Sequence, residues 1–274
     1  IIRLNVDEAT KAQAAQNGDN NNQIAVARIL KVFTYQVMTD TWGDIPYSSF
    51  GGSNATFDAG KADQGVIYAQ YAKQELIYAD LLKELKEASD QLNTGSSAFA
   101  SGDAIYKGNA LKWKKFANSL SLRIANRVRS KLNEADNRIK EILANPAQYP
   151  IFESNDDNAL LAFETNAPNQ APFYKATTLA NRNDYAVSNV FVDFLQGKKA
   201  VFPVQDPRLS VYAQPNSKGN YVGQYYGMDM FTASLVSPDS VSKPGAAFYK
   251  SDYKEVLMEY AEVQFILSEY KNWD

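Results

Sequence analysis

Apolar side chains recur at helical spacing in the first half of the chain, and this pattern constrains the fold most. Ile77, Leu81, Leu85, Ala88 and Leu92 follow one another at intervals of four, four, three and four residues, so they share one face of a helix. Charged residues fill the opposite face. Similar patterns predict helices over residues 24–38, 109–131 and 134–144. The first of these is apolar almost all round and is therefore expected to be buried.

The sequence changes character after residue 145. Residues 145–253 hold nine of the ten prolines, together with many Asn, Tyr, Ser and Gly residues, which is a composition typical of turns and loops. A short helix near 188–195 and short strands at 159–164 and 201–204 are the regular elements expected there. Helical spacing returns over 254–272. We therefore predict a mainly all-α fold with helix pairs over 1–145, a loop-rich excursion over 146–253 and a returning helix over 254–274.

Composition excludes several kinds of chemistry. The chain has no histidine and no cysteine, which rules out Ser–His–Asp catalysis, thiol chemistry and the usual zinc sites. A net charge of −3 argues against a nucleic-acid partner. Asp19, Asp156 and Asp157 could offer oxygens to calcium, but neither stretch matches an EF-hand loop. We predict no catalytic residue, no metal site and no cofactor.

Five stretches carry motifs that occur together in one family. They are residues 40–47 with a Gly-Asp-Ile-Pro turn, 71–82, 102–125 with Gly-Asp followed by Lys-Trp, 206–209 and 260–269. In this order they resemble SusD/RagB-type proteins, and the third stretch is the most specific match. The second departs from the family pattern, since Ala72 stands where Asp is usual.

The resemblance implies a fold and a cellular role. SusD-like proteins are all-α, with tetratricopeptide-like helix pairs and long loop-rich excursions. They are lipid-anchored at the Bacteroidota cell surface and cap a SusC-like, TonB-dependent outer-membrane transporter, to which they help to deliver glycans or, in some members, peptides. We expect one SusD-like domain over 1–274, an internal portion that is incomplete at both ends. Its only link to the membrane would be a lipid anchor outside this chain.

An aromatic-rich segment, residues 221–231, is the best candidate for a ligand-binding surface. Tyrosine offers an apolar ring with a polar tip, which suits stacking on sugar rings, and sugar hydroxyls need polar partners nearby. The candidate residues here are Tyr221, Tyr225, Tyr226 and Phe231. The alternative interpretation is that these rings only pack a loop onto the helices.

Two further groups complete the candidate ligand-binding residues. Asn181, Arg182 and Asp184 offer polar groups, although Asp184 could instead cap the following helix. Trp42 and Tyr47 flank the Gly-Asp-Ile-Pro turn, where the resemblance implies a contribution to the glycan site, and where wedging the turn is the alternative.

One arginine pair has two interpretations. Arg123 and Arg127 stand one helical turn apart and could clamp a ligand carboxylate. Glu259 or Glu262 could instead pair with them inside the helix stack, which we favour because an unpaired buried arginine is costly.

The sequence favours a non-catalytic glycan-binding subunit of a polysaccharide-uptake complex at the outer membrane. A peptide-binding protein and a purely protein-binding helix scaffold remain alternatives. A glycoside hydrolase with two carboxylates is a weaker hypothesis, because no carboxylate pair stands at a defined spacing.

Overall fold

The computed structural model describes residues 1–52, 54–198 and 203–272. The chain divides into two compact units. The first, here the helical unit, comprises Ile1–Leu161 and Val256–Asp274. The second, here the loop-rich unit, comprises Ala162–Glu255.

Helices dominate the described residues. They are α1 (Ile2–Val6), α2 (Lys11–Ala14), α3 (Asn20–Trp42), α4 (Gln74–Gln91), α5 (Ala110–Val128), α6 (Asn133–Ala144), α7 (Pro172–Tyr174), α8 (Asn189–Leu195), α9 (Leu209–Tyr212), α10 (Met230–Ser234) and α11 (Tyr260–Lys271). The strands are β1 (Ile45–Pro46), β2 (Tyr71–Ala72), β3 (Ala159–Ala162) and β4 (Lys254–Met258), and β1 pairs with β2 as β3 does with β4. The predicted mainly α-helical class is therefore confirmed.

The core of the helical unit lies between α3, α4, α5 and α6, each packed on the next. Trp113, Phe116, Leu120 and Ile124 form the inner face of α5 and are buried. Burying a large apolar side chain stabilises a fold by about 1.5–3 kcal/mol, so this face is a main source of stability. Trp113 is therefore a core residue of the helical unit.

The first two family-like stretches contact each other. The Gln74 side chain donates to the Thr39 carbonyl at 2.6 Å, and the Asp44 carboxylate accepts the Gln74 N–H at 2.9 Å at the start of α4. Tyr78 donates its hydroxyl hydrogen to Asp40. The antiparallel pair β1–β2 places Ile45 opposite Ala72. These motif residues therefore fasten α4 to the end of α3.

The predicted helix over 254–274 begins later than its pattern suggested. Residues 254–258 form β4, and α11 begins only at Tyr260, after Glu259 in extended conformation. Pairing with β3 satisfies the backbone of this segment, which outweighs the helical spacing of its apolar residues. Residues 159–162 of the predicted strand 159–164 form β3.

The loop-rich unit has short helices and a small core. Leu195, Leu209 and Ala213 are buried together. The helix predicted near 188–195 is confirmed as α8. The strand predicted at 201–204 falls partly outside the described residues, and residues 203 and 204 form no strand. Among the helices that the described residues form, none has the length and apolarity needed to cross a membrane.

Candidate functional site

The start of α8 supports one side of the candidate site. Ser188 is its N-cap, and the Ser188 hydroxyl accepts the Phe191 N–H at 3.3 Å. The Gln224 N–H donates to the Val187 carbonyl at 2.8 Å, and the Asn189 N–H donates to the Gln224 carbonyl at 2.7 Å. These two bonds hold the aromatic segment 221–231 beside the start of α8.

Gly223 permits this close approach. A Cβ atom at Gly223 would lie 2.3 Å from the Asn189 Cα, far inside van der Waals contact, so a larger residue would push the two segments apart. Three residues further on, the Asn189 side-chain oxygen accepts the Tyr226 N–H at 3.2 Å. Backbone contacts with the start of α8 and the Asn189 side chain therefore fix the conformation of residues 223–226.

Two tyrosines and several polar residues line a groove here, which we call the tyrosine groove. Tyr225 is 73% exposed and Tyr226 is 86% exposed, so their rings are available to a ligand. The volume of the groove is about 270 Å³, and its lining consists of Asp184, Ala186, Ser188, Gln224, Tyr225, Tyr226, Gly227, Met228 and Ala233. The structure thus brings Asp184, Tyr225 and Tyr226 of the predicted residues together.

Sequence reasoning did not select Ser188 or Gln224 as site residues. The sequence could have identified Gln224 as a site residue, because Gln224 lies inside the aromatic segment. Ser188 carried only a helix-start signal. Its place in the groove depends on the backbone pairing of Ser188 with Gln224.

Arg182 sets the electrostatics at the edge of the groove. Its guanidinium donates two hydrogen bonds to the Asp184 carboxylate, at 3.0 and 2.6 Å. These side-chain hydrogen bonds hold the pKa of Asp184 below its ordinary value of 3.8, so this carboxylate stays ionised under mildly acidic conditions. Asn181 is exposed nearby in the chain and adopts a left-handed conformation, with φ of 52°.

Tyr221 and Phe231 are not among the described residues that line the tyrosine groove. Tyr221 is half-buried and packs on the small core of Leu195, Leu209 and Ala213. Phe231 lies on α10 and is exposed. The aromatic segment therefore combines packing and surface roles, as the two interpretations of its sequence allowed.

Trp42 and Tyr47 belong to the helical unit and differ sharply in exposure. Trp42, the last residue of α3, is 69% exposed, whereas Tyr47 is 1% exposed. The Tyr47 ring packs against Tyr35 and Phe57, and its hydroxyl donates to the Asp80 carboxylate at 2.7 Å. Burial raises the pKa of Tyr47. Tyr47 thus supports the turn from inside the core, while Trp42 is accessible.

The arginine pair of α5 is engaged within the helical unit. Arg123 donates to both carboxylate oxygens of Glu262, at 2.5 and 2.6 Å, and Arg127 lies 3.2 Å from the Asp40 carboxylate. The interpretation of Arg123 as part of an internal ion pair is confirmed, with Glu262 as its partner.

Two of the three acidic residues considered for calcium have other roles. The Asp19 carboxylate accepts the Asn22 N–H at 2.9 Å as the N-cap of α3. Asp157 accepts hydrogen bonds from Lys115 and from the Glu153 N–H, both at 2.9 Å. Across residues 1–52, 54–198 and 203–272, no three acidic side chains are grouped so that they could hold a metal ion.

Comparisons with known proteins identify the family of the chain. A family model described as SusD-like, starch-binding and associating with the outer membrane matches residues 3–273. No curated protein matches the chain.

Several solved structures are similar to this chain. They include a chitin-binding protein (27% identity, TM-score 0.68), a SusD homologue from Bacteroides uniformis (26%, 0.71) and a SusD homologue from Bacteroides fragilis (25%, 0.69). The matches cover 92%, 95% and 93% of this chain, and 52%, 50% and 54% of those chains. The chain therefore spans about half the length of these structures.

Proposed function

The chain belongs to the SusD-like family of starch-binding proteins that associate with the outer membrane, and from this premise we propose that it is a non-catalytic glycan-binding subunit of a nutrient-uptake complex. In this role it captures polysaccharide at the cell surface of a Bacteroidota bacterium. A SusC-like, TonB-dependent transporter is its partner. A lipid anchor holds the intact protein at the membrane.

The tyrosine groove is the observation that supports glycan binding most directly. Two exposed tyrosine rings lie beside the Asp184 carboxylate and the Ser188 and Gln224 side chains. Sugar rings present apolar C–H faces to aromatic rings, while their hydroxyls pair with carboxylate, amide and hydroxyl groups. The groove offers both kinds of contact within one small, open surface.

The other candidate residues have different roles in this proposal. They are Asn181, Arg182, Tyr221, Phe231 and Trp42. Arg182 positions Asp184 through their ion pair, and Phe231 and Asn181 extend the accessible surface of the loop-rich unit. Trp42 is a separate accessible contact on the helical unit. Tyr221 keeps a packing role. We leave Tyr47 out of the ligand surface because its ring is buried.

Affinity electrophoresis in gels that contain starch, soluble chitin derivatives or other polysaccharides tests glycan binding. We expect at least one polysaccharide to retard the chain. Tyr225→Ala and Tyr226→Ala should each weaken binding about five- to thirtyfold, because loss of one stacking ring costs about 1–2 kcal/mol. Tyr68→Ala is the matched control, since Tyr68 is 91% exposed but belongs to the helical unit.

The alternatives give different outcomes. If no polysaccharide retards the wild-type chain, glycan binding is contradicted and a peptide-binding or scaffold role is favoured. New reducing ends after incubation with a polysaccharide would indicate a glycoside hydrolase. Co-purification of the full-length protein with a transporter encoded beside it tests the proposed partner.

A further inference from the structure

The loop-rich unit contains a second cavity, here the aromatic pocket, whose chemistry differs from that of the tyrosine groove. Its volume is about 880 Å³, within the range typical of small-ligand sites. Its aromatic lining residues are Phe163, Phe173, Tyr185, Phe248 and Tyr253, and Glu255 is the one charged residue among the described residues of the lining. The other described lining residues are alanines and prolines.

The aromatic pocket and the tyrosine groove share one segment of chain. Asp184 and Ala186 line the groove, whereas Tyr185 between them lines the aromatic pocket. Consecutive residues thus line two cavities of different character, one with a mixed polar and aromatic lining and one mainly apolar. A ligand of the pocket is therefore chemically independent of the glycan proposed for the groove.

Ring–ring contacts build the wall of the aromatic pocket. The Phe173 ring meets the Tyr185 ring edge to face, with centroids 4.8 Å apart. The rings of Phe248 and Tyr253 lie 5.4 Å apart. Such pairs stabilise one another, so the rings form a prearranged apolar surface.

The backbone of the pocket offers few hydrogen-bond donors to a sugar. The N–H groups of Phe163, Ala171 and Phe248 already donate to carbonyl groups within the unit, at 3.2, 2.8 and 3.0 Å. Proline has no N–H to donate. Sugar hydroxyls buried without partners would carry a desolvation cost, so the backbone of the pocket adds little to carbohydrate binding.

The electrostatics of the pocket favour a cation. Aromatic ring faces attract positive charge, and the Glu255 carboxylate adds a negative charge to the lining. The Arg182 guanidinium lies 5.0 Å from the Tyr185 ring centroid, but its charge is compensated by the ion pair with Asp184. An anionic group would meet repulsion from Glu255.

We propose that the aromatic pocket binds a hydrophobic organic cation, an aryl or alkyl group that carries a methylated or other substituted ammonium. The rings bind the apolar part and the charge, and Glu255 selects the cation over neutral and anionic compounds of similar size. This site goes beyond the proposed glycan-binding function and does not depend on it.

Calorimetric titration of the intact chain with three related probes tests the proposal. The probes are benzyltrimethylammonium, benzyl alcohol and phenylacetate. We expect affinity to fall in that order. Glu255→Gln should weaken binding of benzyltrimethylammonium about three- to tenfold while leaving benzyl alcohol unchanged, because only the cation interacts with the removed charge.

Three further variants separate the possible outcomes. Asp252→Asn removes a charge three residues away that is not in the described lining, and it should leave all affinities unchanged. Tyr226→Ala alters only the groove and should do the same. Phe173→Ala should abolish binding of all three probes, with circular dichroism confirming that the variant is folded. The proposal is overturned if benzyltrimethylammonium fails to bind, if it binds no tighter than benzyl alcohol, or if Glu255→Gln preserves its advantage.

Discussion

The Trp113 indole N–H donates a hydrogen bond to the Asp103 carboxylate over 2.7 Å. The same carboxylate accepts the N–H groups of Ile105, Tyr106 and Gly108, at 2.9, 3.0 and 2.8 Å. One acidic side chain therefore organises the turn before α5 and attaches it to a fully buried tryptophan. The most specific family-like stretch, residues 102–125, therefore has a structural role. It need not contact a ligand to fulfil that role.

Asp103→Asn should destabilise the chain by about 1–3 kcal/mol. The substituted amide replaces one acceptor oxygen by a donor, so either the Trp113 indole or backbone N–H groups of the turn lose their partner. Urea unfolding followed by tryptophan fluorescence measures the change in the free energy of unfolding. Asp63→Asn, at an exposed position of the same unit, should be neutral. Equal stability of the Asp103→Asn variant and the wild type would contradict this role.

Arg28→Ala should lower the free energy of unfolding more than Asp103→Asn does. Arg28 and Glu84 join α3 to α4 through a 2.9 Å ion pair whose side chains are only 4% and 3% exposed. Removing the arginine leaves the glutamate charge buried without its partner, which costs about 3–5 kcal/mol. Lys83→Ala, which breaks the exposed 3.8 Å pair with Glu87, should cost at most about 1 kcal/mol. Thermal unfolding of both variants checks the contrast, and similar losses in the two would refute it.

The sequence was sufficient to predict the helical unit because its signals are local. Ile77, Leu81 and Leu85 lie on one face of α4, and all three are fully buried. The helix predicted over 254–258 is wrong because of an interaction with a segment elsewhere in the chain. Val256 and Leu257 fit a helix by spacing, but pairing with β3, about 95 residues earlier in the chain, makes them a strand. The spacing of apolar residues within one segment carries no information about a strand that pairs with it from elsewhere in the chain.

The candidate site was predicted only in part for a related reason. Tyrosine content identified the segment that contains Tyr225 and Tyr226. In a loop, however, buried and exposed side chains do not alternate at a fixed spacing, so the sequence does not show which rings face the core. The packing of Tyr221 depends on Leu195 and Leu209, which are remote in the sequence. Trp42 and Tyr47 show the same limit, since the turn between them buries one ring and exposes the other.

Gly223→Ala should impair the tyrosine groove without altering any of its side chains. Its Cβ would lie 2.3 Å from the Asn189 Cα, so the aromatic segment must move away from α8. We expect weaker retardation by the polysaccharide that binds the wild type. Gly95→Ala is a suitable control, since its Cβ would meet only a side-chain oxygen at 3.3 Å. Unchanged binding by the Gly223→Ala variant would show that this contact does not position the tyrosines.

Arg182→Gln should make glycan binding sensitive to acid. Hydrogen bonds from Arg182 hold the pKa of Asp184 below 3.8, so the wild-type carboxylate accepts sugar hydroxyls until the pH falls through that lowered value. Without Arg182 the pKa rises toward 3.8, and affinity should begin to decline between about pH 5 and 4. Affinity electrophoresis at several pH values measures this shift. Asp184→Asn should show no such decline, and parallel curves for wild type and Arg182→Gln would exclude an ionised Asp184 from binding.

Because of Asp157, the stability of the helical unit should decrease at acidic pH. Burial alone would raise its pKa, but hydrogen bonds from the Glu153 N–H and from Lys115 outweigh burial and hold the pKa below 3.8. A lowered folded-state pKa contributes stability above the unfolded value of about 3.8, and that stability is lost as the pH falls through the folded-state pKa. Asp157→Asn should therefore be less stable than wild type at pH 7, by about 1–3 kcal/mol, and the gap should narrow below about pH 4. Urea unfolding at pH 7, 5, 4 and 3 measures the gap directly. Asp156→Asn, which changes the exposed neighbour, should follow the wild type throughout, and a gap that stays constant with pH would show that the Asp157 charge does not stabilise the fold.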